Sequence, residues 1–277
     1  WPCGPGTRGY NAVMDFGSLV LTDEQAAAHR AAVAAAMLRG DPAGALDGAD
    51  FCRLSGAHVE RLFDAYDRQF FGGAVRQAVA AATPVPLEFG VSNRMTRAGG
   101  KVERRRLRQR GRRPGRGHGR IVEAYRIVIS GRLLMLSFDD VDRPIRVGGL
   151  VCDSRLAALQ RIMEHEIVHL VELVTFGSSS CRQPRFKRLV RQWFGHTRSS
   201  HDLITPTEAA AARHRVTPGS VVAFEYRGER LRGRINRINQ RATVLVEAPD
   251  GRPYTDGRRY HKFYVPLERL EPVTVRV

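Results

Sequence analysis

The sequence predicts an α+β domain followed by a small all-β barrel. Three observations carry that expectation. Residues 156–174 form an apolar run of helical period around His165-Glu166-Ile167-Val168-His169, an H-E-x-x-H pentad. Upstream of it, two helical stretches precede short strand-like runs, the mixture expected of helices packed on a small sheet. Beyond residue 216 the pattern changes to short strands broken by Pro218-Gly219, Arg227-Gly228 and Asp250-Gly251 turns.

The elements follow in order. Residues 1–20 are expected to be disordered or a non-native leader. Met14 stands as a candidate natural start, and the Gly/Pro-rich opening lacks the features of a signal peptide. Thr22 caps an alanine-rich helix running to residue 39, and 40–48 is a loop. Residues 55–70 read as an amphipathic helix with Val59, Leu62, Phe63, Tyr66 and Phe70 on one face. Residues 87–92 and 125–130 read as strands. Between them, 101–120 holds ten Lys/Arg, one acid, four glycines and a proline. Such a run buries too little apolar area to fold alone, so a mobile arm or hairpin insert is expected. Residues 155–174 and 184–194 are helices, the second facing inward through Phe186, Leu189, Val190 and Trp193 or Phe194. The first domain thus spans 21–204. A polar, alanine-rich linker at 205–215 leads to a barrel over 216–277, with strands at 220–226, 231–236, 243–247 and 260–266.

Of the 277 residues, 43% are hydrophobic, enough for a packed core. The net charge of +17 points to a polyanionic partner, nucleic acid first and an anionic membrane surface second. No apolar run approaches the ~18 residues that span a bilayer. Cys3, Cys52, Cys152 and Cys181 are too irregularly spaced for a disulfide framework, which fits a reducing cytoplasm. Nothing in the chain speaks to oligomeric state.

Histidines four residues apart on a helix share a face, so His165 and His169 can address one metal ion. Zinc accepts imidazole nitrogens, and three protein ligands leave a position for water. Glu166 lies within reach of that water as a general base. The bland alternative is a pair of core histidines satisfied by hydrogen bonds.

Four stretches carry a resemblance to the SprT-like (Spartan/SprT-type) zinc metalloproteases. Residues 62–73 (Leu-Phe-Asp-Ala-Tyr-Asp-Arg-Gln-Phe-Phe-Gly-Gly) resemble the family's opening helix and turn. Residues 87–95 with Gly99 and Gly100 resemble its first strand and turn. Residues 125–130 resemble the strand whose edge flanks a substrate, and 161–174 resemble the catalytic helix. The likeness covers about residues 55–195. It implies a zincin-like fold, Zn2+ as cofactor and Glu166 as catalytic residue. The tail more weakly resembles an SH3-like or Tudor-like barrel.

The family's third ligand is a histidine in a His-Gly-x-x-Phe stretch. Aligning on Phe186 leaves Arg182 in that place, with Cys181 one residue before it. Thiolate is a good zinc ligand, so Cys181 ranks first, His201 second and His196 third. Against this, Cys181 reads equally as an ordinary small buried residue.

The resemblance implies a zinc-dependent peptidase acting on proteins at or crosslinked to nucleic acid, DNA before RNA, in the cytoplasm (on the nucleoid in a bacterium). Substrate strands are expected to pair with the edge formed by 87–92 or 125–130. Arg104, Arg105, Arg106, Arg108, Arg110, Arg112, Arg113 and Arg116 are the candidate phosphate contacts. In the tail, Phe224 and Tyr226 are either base-stacking residues or ordinary core and rim. The rival reading is a non-catalytic nucleic-acid-binding protein on a degenerate metalloprotease-like scaffold.

Overall fold

The computed structural model describes residues 15–40, 44–109, 120–139 and 143–273. Helix α1 (Asp23–Leu38) starts at a capping box in which Thr22 accepts from the Gln25 N–H and Gln25 Oε1 accepts from the Thr22 N–H. Helix α2 (Gly56–Phe71) buries the expected apolar face and ends at Gly72, whose φ of 59° is the left-handed cap that glycine adopts without strain. The short α3 (Ala74–Ala82) was not expected. Buried Asp67 accepts hydrogen bonds from the Val75 and Arg76 N–H groups and so starts that helix in place of a local cap.

Strands β1 (Glu88–Ser92), β2 (Gly100–Gln109) and β3 (Arg120–Ser130) form a sheet in the order β1-β3-β2. β1 pairs with β3 parallel and β2 with β3 antiparallel, with Gly100 opposite Ile129 and Gln109 opposite Arg120. One expectation is corrected here and one is narrowed. Residues 125–130 do not offer an edge, because β3 is central and paired on both sides. Of the mobile arm or hairpin insert expected over 101–120, residues 101–109 fit the hairpin and not the arm, because β2 is a regular strand paired antiparallel with β3. The cross-strand ladder to β3, whose Ile127 and Ile129 are fully buried, orders a segment that could not order itself. The remainder of the expected insert, 110–119, lies outside the described residues, as do Cys3 and Met14.

β3 runs directly into α4 (Gly131–Ser137), which Ser130 caps. A hairpin of β4 (Ile145–Val147) and β5 (Leu150–Cys152) turns through Gly148 and Gly149, at φ 65° and 82°, as a two-residue hairpin loop requires. Helix α5 (Arg155–Phe176) is capped by Ser154 and closed by Gly177, and α6 (Pro184–Phe194) buries Phe186, Leu189, Val190, Trp193 and Phe194. α5 lies against the sheet and is flanked by α2, α3 and α6. The expected linker is mostly a helix, α7 (Pro206–His214), capped by Thr205.

The tail is a five-stranded antiparallel sheet of β6 (Val221–Tyr226), β7 (Glu229–Ile238), β8 (Ala242–Pro253), β9 (Arg259–Val265) and β10 (Glu271–Pro272), in the order β10-β6-β7-β8-β9. Among the described residues no ladder joins β9 to β10, so the closed barrel that was expected is not found. β10 is two residues long and ends in Pro272, which has no N–H to donate. Two hydrophobic clusters form, one around α2, α5 and α6 and one within the tail sheet. Ala209 of α7 belongs to the first and Ala210 to the second. No described helix is long and apolar enough to cross a membrane.

Candidate metal centre

α5 places His165 and His169 one turn apart on its sheet-facing side, with their Nε2 atoms 3.1 Å from each other. The left-handed turn at Gly177 sends the chain back along the helix, and the returning segment carries Ser179 and Cys181. The ligand atoms of His165, His169 and Cys181 all lie within 4.8 Å of one another. Phe186 of α6 backs both imidazoles, with ring centroids 4.7 Å from His165 and 4.4 Å from His169.

The surroundings prepare these groups as ligands. Ser179 Oγ donates to Glu172 Oε2 at 2.5 Å, so it accepts the Nδ1 proton of His169 at 2.7 Å, and Nε2 keeps its lone pair. Fully buried Glu172 is held in turn by Arg185 Nε at 2.7 Å. Burial pulls the His165 pKa down to about 3, helped by His169, His196 and His201. Burial likewise pulls His169 down to about 4, against the opposing charge of Glu172. Both rings are therefore neutral at pH 7, the ligating form.

This donor set fits zinc. Two nitrogens bound at ~2.0–2.1 Å in tetrahedral geometry stand about 3.3 Å apart, and a nitrogen and a sulfur about 3.6 Å. The imidazole pair already has that spacing, and Cys181, whose sulfur lies within 4.8 Å of both ligand nitrogens, closes by at most about an ångström.

Glu166 points into the same cleft, a cavity of about 610 Å³. Its carboxylate is buried and Oε2 has no hydrogen-bond partner among the described residues. Burial raises its pKa to about 8. The group packs on Gly100, where a Cβ would stand 2.7 Å from Glu166 Oε1. Gly99, Gly100, Val102 and Arg104 line the cleft, so its rim is the edge of β2 that faces away from β3.

The alternative ligands are committed elsewhere. His196 Nε2 binds Glu164 Oε2 at 2.6 Å in the core. His201 lines the cleft, but its Nε2 accepts the Gly99 N–H at 2.9 Å. Of the candidate nucleic-acid residues, Arg104, Arg105, Arg106 and Arg108 lie on β2 and are exposed. Arg104 donates to the Gly177 carbonyl at 2.7 Å, and Arg105 pairs with Glu103. Arg110, Arg112, Arg113 and Arg116 lie outside the described residues. In the tail, Phe224 is core, while Tyr226 is 45% exposed with Arg227 stacked 5.4 Å from its ring centroid.

Sequence reasoning missed Glu172, Ser179 and Glu164, and named Gly100 only as part of a turn, not as the seat of Glu166. Glu172 had a signal, since it stands three residues after His169 on the same helical face. Ser179 in a triple-serine run had none. Comparison of the chain with protein-family models, with curated proteins and with solved structures gives no match.

Proposed function

We propose that the chain is a zinc-dependent peptidase of SprT-like type acting on proteins at or crosslinked to nucleic acid. One observation carries the reading: His165, His169 and Cys181 converge in a cleft that also holds the unpartnered carboxylate of Glu166 and is bordered by an unpaired strand edge. A purely structural three-ligand site has no use for a general base beside it.

Zinc bound at these ligands supplies Lewis acidity and makes water a stronger acid near neutral pH. The chain's own groups do the rest. Main-chain N–H and C=O groups of β2 pair with an extended substrate, which gives recognition with little sequence preference. A cation beside Glu166 favours its ionised form. Glu166 then takes a proton from water as the oxygen adds to the scissile carbonyl carbon. It returns that proton to the nitrogen as the C–N bond breaks. The order β10-β6-β7-β8-β9 supports an SH3-like reading of the tail, and the helix-under-sheet placement of α5 supports a zincin-like reading of the first domain. The net charge of +17 supports a nucleic-acid setting, and the few, irregularly spaced cysteines support a cytoplasmic one. The rival, a non-catalytic scaffold that binds nucleic acid, draws on the absence of a third histidine ligand.

Elemental analysis of the purified chain tests the centre. One zinc per chain is expected, lost in Cys181→Ala. Glu166→Gln is expected to keep zinc and to lose proteolysis, self-cleavage included. Equal proteolysis by wild type and Glu166→Gln overturns the enzyme. Zinc retained in Cys181→Ala removes the cysteine from the ligand set.

A further inference from the structure

A second concavity, of about 750 Å³, lies between the outer face of α6 and the segment that follows it. Lys187, Arg188 and Arg191 project from the helix, and Arg198 closes the far side. All four are exposed, and none forms an ion pair or side-chain hydrogen bond among the described residues. Several cations nearer the core are paired, whereas these four, like other surface arginines such as Arg53 and Arg68, are not, and these four gather around one hollow. Arg30 and Arg161 share Glu164, Arg76 is held by Asp64, Arg143 by Glu208, Arg155 by Asp139 and Arg185 by Glu172. Among the described residues no acidic side chain lines the groove. Four like charges gathered around one hollow repel each other unless an anion fills it.

The chemistry of the lining narrows the anion. Thr197, Ser199 and Ser200 add hydroxyl donors beside the arginine forks, a combination suited to phosphate oxygens. An anionic membrane fits poorly, because a helix lying in a membrane surface needs an exposed apolar face. The apolar face of α6 is spent on the core through Phe186, Leu189, Val190, Trp193 and Phe194.

We infer that this groove is a binding site for the phosphodiester backbone of a nucleic-acid strand. Ser199 and Ser200 line both this groove and the metal cleft. A strand seated in the groove therefore ends beside the cleft, and a protein attached to it is presented to the edge of β2. This deepens the reading above and rests on its nucleic-acid half. The binding itself needs neither metal nor catalysis.

The test is a comparison of two charge-matched variants by titration with labelled oligothymidylate at several salt concentrations. One variant replaces Lys187, Arg188, Arg191 and Arg198 by Gln. The other does the same at Arg53, Arg68, Arg241 and Arg252, which are exposed and distant in sequence from the groove. Each phosphate contact contributes about 0.7 to the slope of log affinity against log salt on single strands, so the groove variant should lose about 3 from that slope. Its affinity should fall at least about tenfold below that of the control variant. Photo-crosslinks from 4-thiothymidine should map to residues 187–200. Equal losses in the two variants, or crosslinks confined to other segments, overturn the site. So does a groove variant that binds oligothymidylate normally but loses polyglutamate or anionic vesicles. Chelator-treated protein serves throughout, so failure here is separate from failure of the peptidase.

Discussion

At the scale of single residues, Cys181 decides how the centre behaves. A thiolate puts a negative charge into the donor set where the resemblance leads one to expect a neutral imidazole. Cys181→His is therefore expected to hydrolyse a peptide substrate faster than wild type at neutral pH. Equal or slower turnover, with zinc content unchanged, counts against the assignment. The three buried titrating groups also predict an acid–base signature in chelator-treated protein. His165 and His169 titrate near 3 and 4 when folded, below the usual 6.5, so their contribution is lost as pH falls below about 6.5. Glu166 titrates near 8, above its usual 4.5, so its contribution is lost as pH rises from about 4.5 to 8. Two histidines outweigh one glutamate below pH 6.5, and Glu166 acts alone above it. Urea midpoints are expected to peak near pH 6.5, and a rise continuing to pH 8 would show that Glu166 is ionised in the fold. The pentad was legible because residue type and spacing alone define it. Ser179 and Gly100 were not, because each acts through a neighbour brought in by tertiary folding.

At the scale of elements, α5 owes its setting to Glu164, the residue just before the pentad. Fully buried, it receives Arg30 Nε at 2.6 Å, His196 Nε2 at 2.6 Å, Tyr66 Oη at 2.9 Å and Arg161 Nη1 at 3.1 Å. These partners come from α1, α2, α5 itself and the segment after α6, so one carboxylate fixes the rotation of the helix that carries His165 and His169. Glu164→Ala strands buried cations and is expected to cost about 3–5 kcal/mol in chemical denaturation. A loss below about 1 kcal/mol, the size of an exposed pair, would mean that the network is solvated. Helices α2, α5 and α6 were legible from their apolar period, and α1 from its Thr22 cap and alanine-rich run. α3 was not, because it has no local side-chain cap and is started by Asp67 of α2. Nor was α7, because its alanine-rich run reads as a linker with no outward sign of touching two cores. β2 was legible only as one of two alternatives, arm or hairpin. Its composition argued against burial, yet an edge strand buries little, and long arginine stems tolerate a pleated surface. With β2 in place the edge beside the cleft is the basic strand itself, so a substrate strand added there lies among arginines.

At the scale of the whole molecule, the two hydrophobic clusters are joined by neighbouring residues of α7, Ala209 and Ala210, and by the Arg143–Glu208 ion pair at 2.7 Å. Unfolding of one cluster removes packing from the other. Calorimetry of the full chain is accordingly expected to give a single transition, and two resolved peaks would show that α7 transmits no stability. The division into an α+β part and a tail sheet could be read from the change in turn spacing near 216. The open edge could not, since sheet closure depends on which strands meet. The order β1-β3-β2 also sets a sequence of events in time. β2 and β3 are neighbours in the chain and can zip as a hairpin, whereas β1 has to wait for β3 and then dock parallel to it across the intervening strand. The rim of the cleft thus forms early and from local contacts. Anchorage of the sheet to α2 through β1 comes late, so a nascent chain displays its basic strand before helix α5 has been made.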